Sequence, residues 1–272
     1  MNHPYITIPL LSCLLSALGH AHVITGDSTQ IDDSDGKATE LRINNYTGDS
    51  VISVPAEYKQ VYVLGSAEID PFSDTGRSLY VESDSSILIN GDVSAKIVQA
   101  QVGVTNANIN ITGNVTVSSM FAIAEPTNTV RIGGTLTING LNTFIENGSN
   151  VYAGGIQVSK ALTGVKIAGN IYTNSFVASA ATTTLQSGAL LTHQDSDADG
   201  TLLIKTGSIV NCSGTIELDT ELLGGTFSLN EAAIISAVTM DKGPSKFWVM
   251  HKPAALPSTP AISSSPPAQP LT

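Results

Sequence analysis

Cysteine, tryptophan and positive charge are all scarce in this 272-residue chain, and each shortage removes a class of protein. The two cysteines are Cys13, inside an apolar N-terminal run, and Cys212. Removal of that run on export leaves Cys212 without a partner, which excludes a small secreted fold stapled by disulfides. Twelve Lys and Arg stand against 23 Asp and Glu, a net charge of −11 with no basic cluster. Nucleic acid and anionic membrane surfaces are poor partners for such a chain, because neutralising phosphate takes grouped basic side chains. Trp248 is the single tryptophan and aromatics make up 5% of residues. That is too little large-ring area for an ordinary antiparallel sandwich core, although short alternating strands with turn glycines also suit that fold. The sequence holds no serine-nucleophile elbow, no phosphate loop and no His/Cys metal cluster.

What fills the chain instead is a repeat. Ile87-Leu88-Ile89-Asn90-Gly91-Asp92-Val93, Ile109-Asn110-Ile111-Thr112-Gly113-Asn114-Val115 and Val130-Arg131-Ile132-Gly133-Gly134-Thr135-Leu136 share one pattern of alternating apolar residues around glycine. It returns around Gly154 and Gly169, and more weakly at Gly188 and Gly207, with a mean step of about 19 residues. Alternation at period two sends Ile109, Ile111, Val115 and Val117 to one face and Asn110, Thr112, Asn114 and Thr116 to the other. One such unit cannot enclose its own apolar face, so units must stack at about 4.8 Å and hydrogen-bond to their neighbours. The expected fold is all-β, a right-handed parallel β-helix, with the glycine marking one recurrent bend. The coils at residues 109–171 resemble those of autotransporter passengers and of bactofilins, a resemblance of architecture over about half the chain that implies a bacterial β-solenoid surface protein or cytoskeletal element.

The ends read differently. Residues 1–21, with an apolar run from Tyr5 to Leu18 and then Gly19-His20-Ala21, have the pattern of a secretory signal peptide cleaved before His22. Residues 22–40 are acidic and polar and are expected to form a flexible leader; the solenoid domain with its caps spans 41–252, beginning with irregular coils. Residues 230–240 follow a candidate Asn cap and predict a short helix over the last coil, with Trp248 packed on it. Residues 253–272, rich in Pro, Ser and Ala, predict a disordered tail. Charge divides along the same lines: residues 22–92 sum to −9, residues 93–194 to +2 and residues 195–252 to −4.

The sharpest chemical motif is Asp195-Ser196-Asp197-Ala198-Asp199-Gly200-Thr201. Alternate carboxylates followed by Gly resemble the first half of EF-hand and dockerin Ca²⁺ loops, which implies Asp195, Asp197 and Asp199 as side-chain ligands and Thr201 as a carbonyl ligand. Thr206 occupies the twelfth position, where those loops carry a carboxylate, so a site would be weak or completed by Glu217 or Asp219. A solvated acidic turn accounts for the same residues, and His193 beside it reads as an auxiliary ligand or as plain surface.

Function follows from what the outward positions offer. A carbohydrate-active β-helix enzyme, of lyase or hydrolase type, needs carboxylates grouped with Arg or Lys across adjacent coils. The middle coils carry only Glu125 and Glu146 as acids, with Arg131, Lys160 and Lys166 dispersed. The reading is therefore a non-catalytic structural or adhesive solenoid, secreted or held in the cell envelope. Its partners are a protein or glycan met through uncharged Asn, Thr and Ser side chains, with self-association of coils a further partnership the pattern allows and no transmembrane span after cleavage. The carbohydrate-active enzyme is the alternative from another class.

Overall fold

The computed structural model describes residues 21–27, 39–100, 103–140, 142–159, 164–195, 200–230, 232–240 and 245–249. Throughout this span the chain is strand, turn and bend, with no helix among the described residues. The strands stack in parallel into three faces that the chain visits in turn, which is a β-solenoid.

The first face shows the stacking most fully. Ile24 pairs with Ile43, then Val63, Val81, Ala100 and Ile123 follow in register, each one coil further on. The file continues through Ile145, Ile167, Leu185, Cys212 and Leu229 to Val249. All of these from Ile24 to Leu229 are buried. On the second face Ile69, Ile89, Ile111, Ile132 and Ala153 form an equivalent file, and on the third Val93, Val115, Leu136, Ile156, Phe176 and Leu202. The core is a set of columns of β-branched and small residues, because the space between three closely set faces has little room for large rings.

The glycines do not mark one bend, as the repeat suggested. Gly91, Gly113, Gly133 and Gly154 do stack at the corner between the second and third faces; a Cβ on Gly113 would strike the Gly91 carbonyl, and one on Gly133 the Thr112 carbonyl. Here backbone approaches backbone, and only hydrogen fits. The next unit, however, is out of phase. Val165–Ile167 belongs to the first face and Asn170–Thr173 to the second, so Gly169 lies at a different corner, as does Gly188, while Gly207 turns the chain from the third face to the first. A strand, a glycine and another strand look alike at any corner, which is why the sequence pattern merges them.

Polar side chains also hold the corners, the glycine corner included. Asp84 and Asn106 both have positive φ, 54° and 58°, a region Asp and Asn tolerate, and the Asn106 amide donates to Asp84 Oδ1 at 2.7 Å. Between the second and third faces Asp92 Oδ1 accepts from the Asn114 backbone N–H at 2.7 Å, and Asn114 Oδ1 from that of Thr135 at 2.9 Å. Asn128, 1% exposed, accepts from the Ala107 N–H at 2.9 Å and donates to the Val104 carbonyl at 2.8 Å. The Asn114 and Asn128 amides thus satisfy backbone groups that the strands leave over.

Both ends differ from expectation. Ala21–Gly26, in the stretch read as signal-peptide end and leader, pairs with Glu40–Tyr46 as the first described strand. Beneath it Tyr58 is fully buried, and Arg77, 2% exposed, donates to the Tyr58 and Pro55 carbonyls at 3.0 and 2.8 Å. At the other end the expected helix over 230–240 is instead the strand Ile234–Met240, paired with Thr215–Leu223. The strand above offers a row of N–H and C=O groups, and Ile234, Ile235 and Val238 suit its pleat; that pairing outweighs a weak local helix preference. Trp248 lies in the strand Lys246–Val249 and is 60% exposed, so it packs on no cap. The Pro-rich tail, 253–272, lies outside the described residues.

The assignment of faces has a direct consequence. Ile111 is fully buried and Thr112 exposed. Ile111→Asp is expected to cost about 3–5 kcal/mol through an unpaired buried charge, and Thr112→Asp to stay within about 0.5 kcal/mol. Thermal denaturation of the two variants checks this; equal melting temperatures would contradict the faces.

Candidate functional site

One coil is longer than the others that the described strands delimit. Leu185 pairs with Cys212, 27 residues on, whereas Cys212 pairs with Leu229, 17 on. The added length is the loop between the strands Leu190–Thr192 and Thr201–Lys205, which contains the acidic motif. Asp195 is exposed and Thr201 opens the second of these strands, between Ser175 and Asp219. Asp197 and Asp199 lie outside the described residues. Among the described residues no three His, Cys, Asp or Glu side chains converge as metal ligands.

His193 proves to be a staple of this loop. The Gly200 N–H donates to its Nδ1 at 2.9 Å, which assigns the ring proton to Nε2, and Nε2 donates to the Glu217 carbonyl at 3.0 Å. Thr192 Oγ1 donates to Glu217 Oε2 at 2.5 Å, and the Gln194 N–H to Asn174 Oδ1 at 3.2 Å. Gly200 is not in the left-handed region; a Cβ there would meet Leu218 and the His193 ring, so close packing rather than a sharp turn calls for glycine.

Gln194, beside the staple, reaches back over the second face. Gln194 lines a groove of about 270 Å³ together with Asn110, Thr112, Arg131 and Tyr152, which belong to earlier coils. Asn110, Arg131, Tyr152, Tyr172 and Thr192 form one outward file, in register from coil to coil. The Arg131 guanidinium sits 4.9 Å over the Tyr152 ring, and Tyr152 stacks on Tyr172 at 4.4 Å with the planes 7° apart. Burial, and then the neighbouring Tyr152, push the Tyr172 phenol up from its ordinary value. Nearer the N-terminus residues 46–50 stand over Ser66, Glu68, Ser86 and Leu88, a second hollow of about 400 Å³ on the same face. The face therefore carries two hollows, one beside residues 46–50 and one beside Gln194.

An Arg–Tyr–Tyr stack occurs a second time, on the first face. Arg42 lies 4.7 Å from the Tyr62 centroid, and Tyr62 stacks on Tyr80 at 4.6 Å. There Arg42 Nε is bound to Glu40 Oε1 at 2.6 Å. Arg131, in contrast, makes no hydrogen bond or ion pair with any described residue, so its donors face outward. Cys212, the buried free cysteine, has its thiol pushed up by burial and is not a reactive group.

No family model, curated protein or solved structure that was compared matches the chain. Of the residues in the groove, sequence reasoning treated Arg131 as one dispersed charge and Tyr152 not at all. The signal was nonetheless present, since Ile109-Asn110-Ile111, Val130-Arg131-Ile132, Val151-Tyr152-Ala153 and Ile171-Tyr172-Thr173 each flank one outward residue with two inward ones.

The staple is testable. Replacing His193 by Ala removes both loop bonds, and the Gly200 amide is expected to exchange with solvent about ten-fold faster, the worth of roughly 1.4 kcal/mol of local protection. Amide exchange followed by NMR checks it; unchanged protection at Gly200 would show that the loop is held otherwise.

Proposed function

We propose that the chain is an exported structural or adhesive solenoid of the cell envelope or surface, one that holds a partner along its side rather than transforming it. The observation that carries this is the second face, whose outward file of Asn110, Arg131, Tyr152, Tyr172 and Thr192 holds no carboxylate between Glu68 toward one end and Glu217 at the other. Such a surface offers hydrogen bonds in a row but no acid–base pair at the groove itself. The resemblance of the coils to autotransporter passengers supports a surface location, and the apolar run of residues 5–18 supports export. The coil is taken as right-handed, the sense that the right-handed twist of strands favours. In cells producing the protein, the mature chain is expected outside the cytoplasm, beginning at His22 and bound to envelope or matrix polymer without shortening it. Fractionation, N-terminal sequencing and a reducing-end assay test this; intact Met1 in the cytoplasm, or released reducing ends, would overturn it.

Calcium belongs to the same proposal. Asp195, Asp197 and Asp199, with the Thr201 carbonyl, would take Ca²⁺ weakly, with a dissociation constant on the order of 10⁻⁴–10⁻³ M, because the twelfth-position carboxylate is missing. Ion binding to the folded state alone raises thermal stability. Calorimetric titration of the wild type and of Asp197→Ala is expected to show heat and a melting shift only in the former. The same response in both, or none at millimolar Ca²⁺, leaves a solvated acidic turn.

A further inference from the structure

We infer that the groove between Asn110 and Gln194 is a binding site for a neutral glycan, laid along the solenoid axis; the inference rests on the reading of the chain as a binding solenoid and names its ligand. The first argument is the chemistry of the lining. Asn110 and Gln194 carry amides that both donate and accept, and Thr112 a hydroxyl that does the same; all three are exposed. Sugar hydroxyls also donate and accept, so each can be answered by one of these groups. Arg131 adds a planar fork of donors that spans two vicinal hydroxyls, and its position is fixed in advance by the stack on Tyr152 and Tyr172. A side chain already held in place loses little freedom on binding.

Two other occupants fit less well. An extended peptide gains much of its affinity by adding to a free strand edge. In the middle coils there is none: Asn108–Ile111 pairs with Ser86–Ile89 on one side and Thr129–Ile138 on the other, and Thr129–Ile138 is paired again by Asn150–Ser159. An anionic polymer meets the exposed Asp195 next to Gln194 at one end, and Glu68 with Asp49 at the hollow toward the other. A neutral chain meets neither obstacle. Its path is set by the file from Leu88 to Tyr152, four coils in register and therefore about 14 Å long, with the 46–50 segment at one end and Gln194 over the other.

The test is titration of the full chain with cellohexaose, xylohexaose and mannohexaose, with an alginate hexamer and an uncharged Asn/Ser peptide of similar length as comparisons. At least one neutral hexasaccharide is expected to bind. Arg131→Ala and Asn110→Ala should weaken it about ten-fold each, the loss expected for one or two hydrogen bonds. Arg131→Lys should fail to restore it, because an ammonium cannot fork. Lys166→Ala, on the first face, should leave it unchanged, and melting temperatures of the variants confirm that they fold. Absence of binding to all three sugars at about 10 mM, wild-type affinity in Arg131→Ala, or tighter binding of the alginate or the peptide would each overturn the inference. A chain that adheres to envelope polymer in the fractionation experiment yet ignores these sugars defeats this inference alone, whereas a cytoplasmic chain defeats the reading beneath it.

Discussion

Parallel hydrogen bonding between one coil and the next is the interaction on which everything else in this molecule depends. No coil has a hydrophobic core of its own. Ile43 is buried because Leu41 and Val61 lie beside it and Val63 lies under it, and the same holds at every position of the file down to Leu229. The stack gives each coil its partners for backbone and side chain together, so stability is closer to a sum over neighbouring coils than to the property of a single centre. A slip of one residue at any coil would turn every inward side chain to solvent, which pins the register wherever the interior is apolar.

Given that constraint, the corners decide how much the sequence is free to vary. Gly113 and Gly133 leave space for backbone against backbone at the corner that Asn114 also closes, while elsewhere Asp84, Asn106 and Asn128 close turns through side-chain bonds. Coil length varies because any residues beyond those needed to turn can be extruded. The excursion that makes one coil longer than the others follows Thr192, and His193 ties Gly200 at its far end to Glu217 of the next coil.

The sequence made the class of fold legible through alternation, and the small interior through its lack of aromatics. It also placed Ile109, Ile111, Val115 and Val117 inside. Its limits have physical causes. Glycine is needed at three kinds of corner, so a motif centred on glycine cannot tell one face from another, and the unit at Gly169 falls out of phase with those at Gly91 to Gly154. Residues 234–240 have a local preference that an open strand edge overrides, a long-range effect invisible in a short window. The groove was missed because Arg131 and Tyr152 are 21 residues apart and become neighbours only when the coils are laid in register. The sequence shows His193 only as an auxiliary ligand or plain surface, because its partners, Gly200 N–H and the Glu217 carbonyl, are backbone groups that carry no sequence signature.

The site follows from the fold in the same way. A solenoid uses its backbone internally, so what it shows the outside is a lattice of side chains spaced by the coil repeat, and recognition has to be written in that lattice. The register is therefore the central claim, and cysteine trapping measures it most directly. Thr116 and Thr137 are register partners on the third face. A Thr116→Cys, Thr137→Cys variant should form an intramolecular disulfide readily under mild oxidation, since partners in adjacent coils lie about 4.8 Å apart. Thr116→Cys with Thr135→Cys should not. Cross-linking of the second pair in preference to the first would contradict the stacking from which the faces, the corners and the groove are all derived.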